Sequence, residues 1–117
     1  MQATRIFTGA DGESHFEDMD IPLQDLGPVG AMSKLIEATG VVFRETGPDY
    51  DLAFHNAPRR QFVLMLSGGE VEIEVGDGSK RRLGPGDILL AEDTTGRGHI
   101  SRAVDDQPRV SIFITLD

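Results

Sequence analysis

The sequence predicts an all-β domain, a sandwich or small barrel, from three observations. Short β-branched and apolar runs recur about every 8–12 residues, with turn residues between them. Glycine is plentiful at 14 residues while aromatics are only 6% of the chain, a composition suited to many tight turns. No segment repeats apolar residues at the helical period for long enough to make an amphipathic helix. The 117 residues make one domain, 1–117. A domain of this size buries roughly two-thirds of its unfolded surface and needs no covalent staple. The cysteine count of zero agrees with that, and it excludes thiol catalysis, zinc knuckles and iron–sulfur chemistry.

Residues 5–8 are β-prone, and Gly9-Ala10-Asp11-Gly12 turns the chain. Residues 14–21, apolar at Phe16, Met19 and Ile21, read as an edge strand with a kink. Pro, Asp and Gly recur without period through 22–30, which is loop. Residues 31–38 fit either a helical turn on Met32, Leu35 and Ile36 or the start of a strand. The β-branched run 41–46 is closed by Gly47-Pro48-Asp49, and 50–55 is the next strand. Residues 61–66 are almost wholly apolar and read as buried on both faces. Ser67-Gly68-Gly69 then leads into 70–75, where Glu70, Glu72 and Glu74 alternate with β-branched residues, so one face is wet. Gly76-Asp77-Gly78 is a hairpin turn that brings Lys80-Arg81-Arg82 back opposite those glutamates. Spaced about 7 Å apart and offset by this basic return, the three carboxylates read as surface rather than as a calcium site. Leu83-Gly84-Pro85-Gly86-Asp87 turns into a strand at 88–91, 92–98 is a polar loop, and strands follow at 99–103 and 110–115.

The formal net charge of -9 argues against a nucleic-acid partner and against an anionic membrane surface. The longest apolar runs fall far short of the roughly 20 residues that span a bilayer, and the first residues lack a basic-then-apolar leader. The expectation is therefore a soluble, cytoplasmic protein. Gly76-Asp77-Gly78 and Gly84-Pro85-Gly86 lie in hairpin turns rather than before helices, so no dinucleotide or phosphate-loop fingerprint is present.

Residues 63–73, Val-Leu-Met-Leu-Ser-Gly-Gly-Glu-Val-Glu-Ile, and the turn Leu83-Gly84-Pro85-Gly86-Asp87 resemble the strand-turn-strand and the LxPGD turn of the cupin superfamily. The resemblance implies a double-stranded β-helix, a jelly-roll-like barrel over about 40–117, with N-terminal strands and loop in 1–39. It also implies two sheets of four to six strands, a homodimer, and a metal site built from a His-x-His pair, a following Glu and a later His. His55 stands at the first histidine position, Ala57 at the second, Gln61 at the glutamate and His99 in the Gly96-Arg97-Gly98-His99 remnant of the second motif. Thr94 replaces that motif's proline and Ala103 its asparagine, so the metal motif is degenerate.

Strand alternation puts His55 on one side with Ala53 and Asp51, and Gln61 with Val63 and Met65. If those sides line the interior, His55, Gln61 and His99 converge. Two imidazoles and an amide can hold a divalent cation (Zn, Fe, Mn or Ni) with open positions for substrate or water. Without a cation, the same groups serve as hydrogen-bonding or acid–base residues, with His55 and His99 as the catalytic candidates. The expected pocket is lined by Phe43, Phe54, Val63, Met65 and Phe113, with Arg59 at its rim offering a fork to a carboxylate or phosphate. Arg60 and Arg44 have the same standing as Arg59, Arg44 with Glu45 or an acid on a neighbouring strand as its expected partner. His15 reaches the site only if the N-terminal strand folds over the mouth, while Glu92 and Asp93 are loop acids able to supply a base or a carboxylate ligand. The functional expectation is an enzyme of lyase, isomerase or cyclase type acting on a small carbonyl or carboxylate compound. The alternative is a metal-free sensor or carrier that binds a small-molecule ligand without turnover.

Overall fold

The computed structural model describes residues 1–117. Its strands are β1 (Gln2–Thr8), β2 (Ser14–Asp20), β3 (Gln24–Asp25), β4 (Ala31–Met32), β5 (Gly40–Thr46), β6 (Asp51–His55), β7 (Gln61–Gly68), β8 (Val71–Glu74), β9 (Lys80–Leu83), β10 (Ile88–Glu92), β11 (His99–Ala103) and β12 (Arg109–Thr115). A six-stranded sheet in the order β2-β1-β10-β7-β12-β5 faces a four-stranded sheet in the order β6-β11-β8-β9. Only β1 and β10 pair in parallel within the six-stranded sheet. The core joins the sheets: Ile6, Val63, Met65, Leu89 and Ala91 of the large sheet pack with Val71, Ile73 and Leu83 of the small one and with Val75 just beyond β8. The fold is all-β, with two sheets of the predicted size. No helix is long and apolar enough to cross a membrane.

Several local expectations are corrected. Residues 14–21 carry no kink, because β2 pairs with β1 from Ser14 to Asp20 without a register shift. Residues 31–38 are neither helix nor full strand: only Ala31 and Met32 pair, with β3, across a 3-10 turn at Gly27–Val29. β7 is not buried on both faces. Gln61, Val63 and Met65 point into the roll, while Phe62 and Leu64 are half-exposed and Leu66 is exposed. The outer face of the large sheet is itself apolar. There Phe43 lies opposite Ile112, which lies opposite Leu64, and Val41 lies opposite Ile114, which lies opposite Phe62.

The glutamate stripe of β8 is also less wet than its alternation predicts. Glu72 and Glu74 face Arg82 and Lys80 across the hairpin, as charge pairing requires. Glu72 is nevertheless buried, because Arg82 at 3.2 Å and Arg102 at 3.3 Å lie over it. Long arginine stems cover apolar surface while their heads satisfy the carboxylate.

Glu92 ends β10 as a structural acid. Its Oε1 accepts from Arg5 Nε at 2.5 Å and its Oε2 from Arg60 Nε at 2.7 Å, which ties β1 and the β6–β7 connection to the same strand end. Burial alone would raise its pKa, but the hydrogen bonds and charges of the two arginines together outweigh burial and hold the carboxyl below its usual range. A folded-state pKa below the unfolded value means that the stabilisation is complete above about pH 4.3, the ordinary glutamate range, and is lost as pH falls through the folded value. Both arginines are partly solvent-screened, so Glu92→Gln is expected to lose only about 1 kcal/mol at pH 7. In urea denaturation, the gap between parent and variant should close below about pH 4. A gap unchanged at pH 3 would remove the ion-pair explanation.

Candidate functional site

A cavity of about 220 Å³ opens between the two sheets, with an apolar floor that includes Val63, Met65, Val71, Ile73, Leu89 and Phe113. His55, Gln61 and His99 all line it. The register explains why. His99 of β11 lies directly opposite His55 of β6, and their ring centroids are 4.6 Å apart. One step on, the ladder slips, so that Ser101 faces Leu52. This bulge in β6 reverses the expected alternation. Leu52 and His55 share the cavity side, and the expected companions Asp51 and Ala53 are not among the lining residues. Gln61 enters from the first position of β7, beside Ala91 of β10.

The two imidazoles are held in the same way. His55 Nδ1 donates to the Ala53 carbonyl at 2.8 Å. His99 Nδ1 donates to Asp93 Oδ2 at 2.5 Å. Each bond consumes the Nδ1 proton of a neutral ring and leaves the lone pair on Nε2. Asp93 is not a solvated loop acid. It is fully buried, and its Oδ2 also accepts from Ser14 Oγ at 2.7 Å, so an N-terminal strand supports a histidine near the other end of the chain. The loop carrying Asp93 is fixed by backbone and amide bonds: Ala57 N–H donates to Asp93 O at 3.1 Å, and Asn56 Nδ2 donates to Thr95 O at 2.8 Å and Gly96 O at 3.0 Å. Ala57, which stands where the motif's second histidine would be, is buried and contributes its amide to this loop.

Of the expected lining residues, Val63, Met65 and Phe113 are present. Three others are corrected. Phe43 is 77% exposed on the outer face of the large sheet, because the odd positions of β5 pair outward with Ile112 and Ile114. Phe54 sits outside the cavity beneath the Arg97 guanidinium, 4.1 Å from its ring centroid, because it adjoins the inward-facing His55. Arg59 is exposed in the β6–β7 turn and does not reach the cavity. His15 also lies away from the cavity, half-exposed against Asp11 at 3.0 Å; that hydrogen bond raises the imidazole pKa and lowers that of Asp11. Glu92 is the structural acid described above.

At the other polar end of the cavity, sequence reading missed Arg109 and Tyr50 and gave Arg44 an acid as its expected partner. Arg44 pairs with no acid. It turns inward, its guanidinium 4.7 Å from the Phe113 ring centroid and 5.5 Å from that of Tyr50. Arg109 lies over the same Tyr50 ring, 4.7 Å from its centroid, and is 4% exposed. Midway along the cavity the Tyr50 hydroxyl bonds Ser101 Oγ at 2.6 Å. The available signal was the polar alternation Arg109-Val110-Ser111 at the head of an otherwise apolar strand, which marks polar residues on an inward face.

No family model and no curated protein matches the chain. Among solved structures, it is similar to a Cupin 2 conserved barrel domain protein from Salinispora arenicola, at 17% identity over 84% of this chain and 78% of that one, with a TM-score of 0.54. A protein of Neisseria meningitidis aligns at 11% identity over 70% of this chain and 84% of its own, TM-score 0.49. A conserved protein of unknown function from Streptococcus pyogenes aligns at 18% identity over 73% and 71%, TM-score 0.48. Two facing sheets around a side-chain-lined cavity, matched over most of both chains by the Salinispora barrel, give this chain the fold of the cupin conserved barrel.

Proposed function

We propose that the barrel is the site of a small-molecule enzyme of lyase, isomerase or cyclase type, in which His99 and His55 move a proton on a carbonyl or carboxylate compound. The observation that carries this reading is the buried Asp93–His99 pair beside His55, within an apolar cavity. Asp93 fixes the His99 tautomer and stabilises the imidazolium that forms when Nε2 takes a proton. His99 Nε2 is the base for a carbon next to a carbonyl, and His55 Nε2 lies close enough to take part in returning the proton at another atom of the substrate. The apolar lining around them strengthens each of these polar contacts. Gln61, whose amide makes no side-chain bond to the protein, is free to hold the substrate oxygen.

The same three donors fit a divalent cation of the Zn, Fe, Mn or Ni type. Both imidazoles already place their second nitrogen on an oxygen acceptor, as metal-bound histidines do. No cluster of three or more His, Cys, Asp or Glu side chains accompanies them, so Nε2 of His55, Nε2 of His99 and the Gln61 oxygen would make up the protein's donor set. A cation bound there would polarise a substrate carbonyl.

Small oxo acids and unsaturated acids incubated with tag-free protein in D2O are expected to exchange a carbon-bound proton, read by NMR, and His99→Ala should remove the exchange by at least about a hundredfold. Metal analysis of the same preparation separates the two forms of the reading. Stoichiometric metal lost in both His55→Ala and His99→Ala supports the cation, and its absence from the parent removes it. A ligand that binds the cavity with no exchange and no bond change would make the protein a carrier or sensor instead.

A further inference from the structure

We propose that Arg44 and Arg109 form the anion-binding end of the cavity, and that its ligand is a small organic acid whose carboxylate these two guanidiniums clamp. The inference rests on reading the cavity as a small-molecule site and names the class of molecule that fills it.

The β5–β12 register sets Arg44 opposite Ser111 and Thr46 opposite Arg109, so four polar side chains form one block on the inner face. Arg109 is 4% exposed, Ser111 0% and Thr46 8%. Five buried polar side-chain atoms in the chain have no hydrogen-bond partner. Four of them belong to this block: Arg44 Nε, Arg109 Nε, Thr46 Oγ1 and Ser111 Oγ. Native interiors rarely leave such groups unpaired, and buried charges are almost always neutralised.

The other arginines show how unusual this is. Arg5, Arg60, Arg81, Arg82, Arg97 and Arg102 each hold a carboxylate, and Arg59 is in solvent. With acids nearly twice as numerous as bases in the chain, carboxylate partners are not scarce. Of the three arginines that lack one, the two that are not in solvent, Arg44 and Arg109, line the cavity. Burial, followed by the charge of Arg44, holds the Arg109 guanidinium below its ordinary pKa, a sign that the pair is destabilised until an anion meets it. Tyr50 and Phe113 lie within cation–π distance of the guanidiniums, which neutralises neither charge and leaves both Nε–H groups without a partner in the protein.

The rest of the cavity selects the body of the acid. From the arginine end, at Met65 opposite Ser111, to the histidine end, at Gln61 opposite Thr115, β7 advances by four residue steps, or about 13 Å of backbone. Val63, Leu89, Ile73 and Phe113 line that interval with hydrocarbon. A volume of about 220 Å³ lies below the roughly 300–1,000 Å³ of drug-sized sites, which suits a short-chain or single-ring acid. Held by its carboxylate at one end, such an acid presents its body toward His55 and His99.

The chain has one tyrosine and no tryptophan, so its intrinsic fluorescence reports Tyr50 alone, at the proposed anion end. Sodium butyrate and sodium benzoate, titrated against sodium chloride at equal ionic strength, are expected to change that fluorescence saturably and to raise the Tm. Arg109→Met should weaken this binding by at least about tenfold. Without ligand, its Tm should equal or exceed the parent's, because an unpaired buried charge has been removed. If Arg109 were only a structural stacking partner, Arg109→Met would lower the Tm instead. Arg44→Gln provides the second variant, with the same loss of affinity expected. No saturable change with either acid, binding of inorganic phosphate alone, or parental affinity in the arginine variants would overturn the proposal. His99→Ala should bind both acids within a few-fold of the parent. Acid binding without any proton exchange therefore defeats the enzyme reading and leaves this inference standing, while exchange on uncharged carbonyl compounds without acid binding does the reverse.

Discussion

Gly98→Ala is expected to destabilise the protein by about 3 kcal/mol or more and to lower its Tm by roughly 10 °C, an effect large for a single methyl group. Gly98 has φ +82, a region that non-glycine residues adopt at a cost of about 1 kcal/mol. The larger part is steric. A Cβ here would lie 2.0 Å from the His55 carbonyl oxygen, 2.3 Å from its carbon and 2.8 Å from Asn56 N. These are backbone atoms that cannot rotate aside, so β6 must move away from β11 where His55 and His99 face each other. Gly78→Ala separates the two contributions, since Gly78 has φ +87 and nothing within 4 Å of the added carbon. It should lose only the conformational part, about 1 kcal/mol. Thermal melts of the two variants should therefore differ by several degrees, and equal losses would show that close approach of the β6 and β11 backbones is not what requires glycine at 98.

The parts of the fold legible in the sequence are those set by contacts close along the chain. The β7–β8 and β8–β9 connections follow from turn residues and from Glu72 and Glu74 meeting Arg82 and Lys80, all within a dozen residues. Cavity lining depends on which of two neighbouring residues points inward, and that choice is made at long range. The rule that aromatics go inside selected Phe43 over Arg44. It fails because the large sheet is apolar on its outer face as well, so Phe43 finds Ile112 there and Arg44 is left to enter the cavity. At β6 a bulge, which local propensity does not encode, reversed the expected companions of His55, whereas Phe54 lies outside because it is the next residue to the inward His55.

The meeting of His55, Gln61 and His99 was legible only because the resemblance supplied a frame in which separate strands share a cavity. Nothing local links position 14 to position 93. Ser14 closes the Asp93 carboxylate across 79 residues through the parallel pairing of β1 with β10, which brings β2 alongside the histidine loop. For the same reason Asp93 looked like a loop acid: its polar surroundings in sequence said nothing of its burial in space.

Asp93 is expected to divide stability from chemistry in a way that no purely structural residue would. Its carboxylate is fully buried and supplies one oxygen to two buried donors, His99 Nδ1 and Ser14 Oγ. Asp93→Ala leaves both donors without an acceptor, at about 1–3 kcal/mol each when solvent cannot reach them. Relief of a buried charge whose Oδ1 has no partner offsets part of this, so the net loss is about 3 kcal/mol, or roughly 10 °C in Tm. Asp93→Asn keeps the volume and both contacts, its amide oxygen in the place of Oδ2 accepting from His99 and Ser14 while its NH2 takes the position of Oδ1, which has no partner in the parent either, so its loss should stay near 1 kcal/mol. What the amide cannot supply is negative charge behind an imidazolium. Proton exchange in D2O should therefore fall by at least about a hundredfold in Asp93→Asn, with affinity for butyrate and benzoate unchanged because Arg44 and Arg109 are untouched. A fall in exchange that only tracks the loss of folded protein, or full exchange in Asp93→Asn, would reduce Asp93 from a positioning residue for His99 to a packing contact.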